Sequence, residues 1–147
     1  MKFMNFDEKL NEISDQWEDW STIFLNYPER VSGELSDIDH LTWLIYERVW
    51  TVENNIDEIT CVFANVLITL FEYEHTIDFS EYNQVVLIHS ITEEYLFPTN
   101  HIIEYLSARW ERDLNELLFT IIHKLNGDPY IDNKYKKMED QVKFDWK

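Results

Sequence analysis

The chain predicts an α+β fold: helices packed on a small antiparallel β-hairpin or sheet, with two N-terminal helices and one long or broken C-terminal helix. Two changes of period carry that expectation. IDEITCVFANVLITLF places Ile56, Ile59, Phe63, Val66, Leu67 and Leu70 on one side of a helix. At Glu72 the spacing switches to strand alternation, with Tyr73, His75, Ile77 and Phe79 set against Glu74, Thr76, Asp78 and Ser80. After a polar break at Glu81, Tyr82 and Asn83, QVVLIHSIT is rich in β-branched residues. A hairpin over 73–79 and 84–92 follows, closed by Phe97-Pro98 before another helix.

The other elements follow in order. The first helix should run from about Asp7 to Phe24, with Leu10, Ile13, Trp17, Trp20 and Phe24 as its apolar stripe. Glu8, Glu12, Asp15 and Asp19 step along the opposite side, and Glu18 widens that acidic surface. Tyr27-Pro28 ends the helix, and Ser32-Gly33 continues the loop. Ser36 is the expected N-cap of the second helix, with Asp37 and Asp39 in the first turn facing the positive end of the dipole. Its core stripe is Ile38, Leu41, Ile45, Val49 and Val52, while Trp43, Tyr46 and Trp50 form a second stripe that either packs or meets a partner. Asn54-Asn55 breaks the chain before the third helix. In the last helical region, Ile103, Leu106, Trp110, Leu114, Leu117, Ile121 and Leu125 keep one stripe to a stop at Asn126-Gly127. Nothing between Ser107 and Asp113 decides whether this is one helix or two. Buried positions should include Phe63, Leu67, Ile77, Val86, Leu117 and Ile121.

The 147 residues fit a single domain over 1–147, with a core over about 7–127. Apolar content of 45% and aromatic content of 16% argue against disorder. The net charge of −17 makes a nucleic-acid ligand a poor fit, because phosphate binding relies on Lys and Arg. A basic protein partner fits instead, since opposite potentials steer encounter. Residues 128–147 hold five lysines and five acids, so the whole excess sits on residues 1–127. The N-terminus lacks the apolar region of a signal peptide, and no segment reaches the ~20 apolar residues of a membrane span. A cytoplasmic protein without membrane contact is expected. Cys61 is the only cysteine, which excludes an internal disulfide and a Cys-based zinc site, and its apolar neighbours predict a buried inert thiol.

The motifs of catalysis are missing. His40, His75, His89, His101 and His123 form no ligand pair at helical spacing, and no phosphate-cradling glycine loop or nucleophile motif is present. The sequence therefore predicts no catalytic residue, metal or cofactor. The acidic stripe is the more informative feature. Like charges four apart cost a helix about 0.2–0.5 kcal/mol per pair, and only Lys2 and Lys9 lie near. Either the stripe is a solvated face, or it meets a basic partner through Glu8, Glu12, Asp15, Glu18, Asp19, Asp37 and Asp39, with Trp43 or Trp50 as an anchor.

The order of IDEITCVFANVLITLF, YEHTIDF, QVVLIHSIT and YLFPTNHIIEYL resembles small acidic α+β immunity proteins of bacterial toxin–immunity systems. The resemblance covers about residues 36–125 and lies in element order, so it transfers no functional residue. It implies an inhibitor that neutralises a toxin by binding it. A nuclease suits the charge, because its site must attract a polyanion and a carboxylate-covered surface competes for the same field. A nucleic-acid mimic blocking a DNA-binding enzyme, or an acidic structural or regulatory subunit, are the alternatives.

Overall fold

The computed structural model describes residues 6–25, 29–77, 85–108 and 113–143. Helices α1 (Phe6–Leu25), α2 (Ser36–Tyr46) and α3 (Val52–Leu70) precede strands β1 (Tyr73–Ile77), β2 (Val86–His89) and β3 (Tyr95–Leu96). Helices α4 (Pro98–Ala108), α5 (Leu114–Asn126) and α6 (Lys136–Gln141) complete an α+β fold. The strands form one antiparallel sheet in the order β1-β2-β3, with Tyr73 opposite His89 and Leu87 opposite Leu96.

Helix α3 is the centre. It touches α1, α2, α4 and β1, and its run from Ile59 to Ala64 is buried without interruption. The expected stripe is buried at Ile59, Phe63, Val66 and Leu67, and neighbours on several sides widen it through the middle of the helix, while Asp57 and Thr69 nearer its ends stay exposed. Cys61 is fully buried there, and burial pushes its thiol well above the ordinary range. Phe63, Leu67, Val86, Leu117 and Ile121 are all buried. The side chains of Phe24 and Ile77, the strand positions 78–84 and Trp110 lie outside the described residues.

Several boundaries differ from expectation. Ser36 is the first helical residue of α2, which begins after Leu35 without a side-chain cap. Helix α2 stops at Tyr46: Arg48 has φ of +60°, and Leu44 O accepts from both Val49 N and Trp50 N. Val49 is exposed as a result, and Val52 starts α3 instead of extending α2. The break comes at Thr51, whose side chain accepts from Asn54 N while Asn55 Oδ1 accepts from Thr51 N. Asn55 remains as a kink inside α3.

The second strand ends at His89 rather than at 92. Its ring Nδ1 accepts from the backbone N–H of Ile91 and Thr92, at 3.1 and 3.3 Å, which curls the chain into a turn. That turn returns as β3, a strand absent from the sequence reading. The last helical region is two helices, with Asp113 capping α5 through Asn115 N. In α4 the inward residue is Ile102, whereas Ile103 is exposed. Asn126-Gly127 does end α5.

The core also extends beyond residue 127. Ile131, Tyr135 and Val142 are buried in the same cluster as α3 and α5. Two polar knots fasten this segment. Tyr135 Oη lies 2.9 Å from His89 Nε2 and bonds the Glu72 carboxylate, which also pairs with Lys134. Buried Glu139 gathers Asn126 Nδ2, His123 Nδ1 and Lys136 Nζ at 3.2, 3.1 and 2.8 Å. Among the described residues no helix is long and apolar enough to cross a membrane.

Candidate functional site: an acidic face with an aromatic ridge

The buried side of α1 carries Phe6, Ile13 and Trp17, and Leu10 and Trp20 pack partly against the core. Helical periodicity then forces Glu8, Asp15 and Asp19 to the opposite, exposed side, with Glu12 at its margin. This face is less uncompensated than its sequence implies. Arg30, fifteen positions beyond Asp15, returns over α1 and bonds Asp15 at 3.0 Å and Glu18 at 2.7 Å. Lys9 sits between Glu12, at 3.8 Å, and Glu58 of α3, at 3.2 Å. Partial burial works against the Lys9 charge, but Glu58 and Glu12 outweigh it and raise its pKa. The sequence places only Lys2 and Lys9 near the stripe, and the fold adds Arg30 to them. Arg30 is held there by the neighbouring Glu29, whose backbone N–H donates to Ser21 Oγ of α1 at 2.6 Å.

Two of the expected contact residues are interior. The Asp37 carboxylate accepts from Ser32 N, Gly33 N and Ser32 Oγ at 2.9, 2.8 and 3.1 Å. Burial pushes its pKa up, against the pull of those bonds. It shapes the loop rather than a surface. Gly33 needs its φ of +79°, and a methyl group there would overlap the Thr69 side chain. Trp50 lies beyond the end of α2 and is 3% exposed, edge-on to Trp17 at 5.9 Å and to Trp20 at 5.4 Å between ring centroids. It is core, not an anchor.

The aromatic stripe of α2 is therefore split. Asp37, Ile38, Leu41 and Leu44 face inward. Asp39, Trp43 and Tyr46 face outward, with Trp43 38% and Tyr46 69% exposed. His40 sits between the two sides, with its ring 4.3 Å from Trp17 and 6.2 Å from Trp43. Burial lowers the His40 pKa, so the neutral ring is favoured there. Asp39 accepts from Asn115 Nδ2 at 2.7 Å, and Thr42 bonds across to Asp113 and Leu114 N at the start of α5. Asp39 and Asp113 repel each other across that junction, while burial is the main cause of the raised Asp113 pKa. The result is an outward aromatic ridge flanked by Asp39, Glu47 and Asp113.

The ridge can bury apolar area and receive cationic side chains on its rings. Among the described residues no group of three His, Cys, Asp or Glu side chains is gathered to hold a metal. Comparison with protein-family models, curated proteins and solved structures finds no match to this chain.

Proposed function

We propose that this protein is a non-enzymatic acidic inhibitor that binds a basic partner and covers its working surface, in the manner of the immunity proteins its element order resembles. One observation carries the reading: Trp43 and Tyr46 stand outward on α2, flanked by carboxylates, in a chain of net charge −17. Large exposed aromatics are the composition of interface hot spots, and the surrounding field selects a positive partner. A toxin acting on nucleic acid in the cytoplasm is the partner that best matches that field. The duplex-mimic alternative has less support, because Arg30 and Lys9 interrupt the acidic row on α1.

Co-purification from the source cells with identification by mass spectrometry supplies the partner for the assay. Adding the protein in equal amount should abolish the partner's activity. Trp43→Ala with Tyr46→Ala should speed dissociation and cost at least about 2 kcal/mol of affinity. Changing Glu12, Asp15 and Asp19 together to Lys should slow association and flatten its salt dependence. If both variants fold and bind as the parent does, the interface lies elsewhere and this reading fails.

A further inference from the structure

Strand β3 is an outer strand, with no further strand paired to its far side among the described residues. Two hydrogen bonds fix the direction of its backbone groups. Ser90 N donates to Glu72 O and His89 N donates to Glu94 O, each at 3.0 Å. His89 therefore turns its backbone towards β3 and Ile88 towards β1. With Ile88 opposite Tyr95, the Tyr95 N–H and C=O point away from β2. Among the described residues no hydrogen bond takes them up.

Beside this edge runs a groove of about 460 Å³. Its floor is Tyr73 and Leu96 from the sheet, with Leu117, Ile121 and Leu125 from α5. Alternation puts Tyr73 and Leu96 on the core face and Tyr95 on the outer face, where it is 63% exposed. The sheet thus stops short of covering α5. A further strand laid against β3 would send every second side chain into the groove and the others to the outer face beside Tyr95. The edge is acidic: Glu93 lies just before it, and Glu94 and Asp128 line the groove, against Lys124 as the single lysine or arginine in the lining.

We propose that the β3 edge and this groove bind an extended, basic segment of a partner protein as a fourth strand, with apolar residues at alternate positions. Main-chain bonds to Tyr95 supply register, the groove takes the apolar side chains, and the outer lysines or arginines lie by the Tyr95 ring in the field of Glu93 and Glu94. This site is separate from the α2 ridge and does not depend on it.

The probe is a capped peptide of about seven residues alternating lysine and valine, long enough to span the two-residue strand and its flanks. Binding is followed by amide chemical shifts of the full chain. Saturable binding should move the amides of Tyr95, Phe97 and the exposed side of α5. N-methylation of the peptide amides that face β3 should weaken it by at least about tenfold, because each lost main-chain bond removes register and affinity. Thr120→Trp, which fills the groove from an exposed position, should weaken it similarly. A glutamate–valine peptide should bind more weakly still. Absence of binding at millimolar peptide overturns the proposal. Equal binding of the N-methylated peptide overturns it too, even if Thr120→Trp fails to fold, and so do shifts confined to Trp43 and Tyr46.

Discussion

The carboxylates of α1 and those that fasten the C-terminal segment are the same chemical group in opposite situations. Asp15 and Glu18 share Arg30 in solvent, with half of the arginine side chain exposed. Glu139 is 3% exposed along its side chain and is held by a lysine, an amide and a histidine. Exposed pairs gain little, because water and salt already stabilise the separated charges. A buried carboxylate gains nothing from water, so each of its partners matters. Lysines of the C-terminal segment meet structural acids, Lys134 reaching Glu72 beside β1 and Lys136 the nearby Glu139. Residues 1–127 carry the negative excess on both kinds of carboxylate, the exposed ones of α1 and structural ones such as Asp37, Glu72 and Asp113.

The contrast can be broken at several points. The largest expected effect lies in the shared core: Leu117→Ala should cost about 2–5 kcal/mol of unfolding free energy in urea titrations. A loss below about 0.5 kcal/mol would mean that α5 does not face the core. Next comes Glu139→Ala, which leaves Asn126 Nδ2 without its acceptor and should cost about 1–3 kcal/mol. If it proves neutral, the knot around Glu139 is no more structural than the α1 pairs.

The pH dependence sharpens the same point. Burial lowers the His89 pKa in the folded chain, so the unfolded chain binds the proton more readily. Stability should therefore fall as pH drops through the unfolded histidine value of about 6.5, and His40 acts in the same direction. The Glu139 pKa is lowered although burial opposes it, because Lys136, Asn126 and His123 prevail. Its contribution is present above the unfolded glutamate value of about 4.3 and is lost only as pH falls through the folded value. Thermal melts between pH 7 and 5.5 should thus show the loss of stability that His89 and His40 cause. His89→Gln should start less stable and lose less over that window; an unchanged slope would remove His89 as the cause.

The smallest effect is expected on α1. Asp15→Asn and Glu18→Gln should each change stability by less than about 1 kcal/mol, fading with added salt. A larger loss would make Arg30 a structural clamp, and the acidic face would then be less available to a partner.

By itself the sequence determined the elements that rest on local periodicity: the extent of α1 and its exposed acidic stripe, the apolar run of α3, the switch to strand at Tyr73 and the stop at Gly127. Each depends on spacing within one segment, which the chain carries wherever it packs. Tertiary structure decided what spacing cannot encode. Trp43, Tyr46 and Trp50 share one stripe on paper, yet the turn at Arg48 sends Trp50 into the core and leaves the other two outside. Asp37 reads like Asp39 but is drawn inward by the Ser32 and Gly33 amides, and Arg30 reaches Asp15 only because the loop folds back. The short β3 and the buried Glu139, His89 and Tyr135 have no periodic signature, because their positions are set by partners far along the chain whose hydrogen bonds exist only once α3, α5 and the sheet have closed around them.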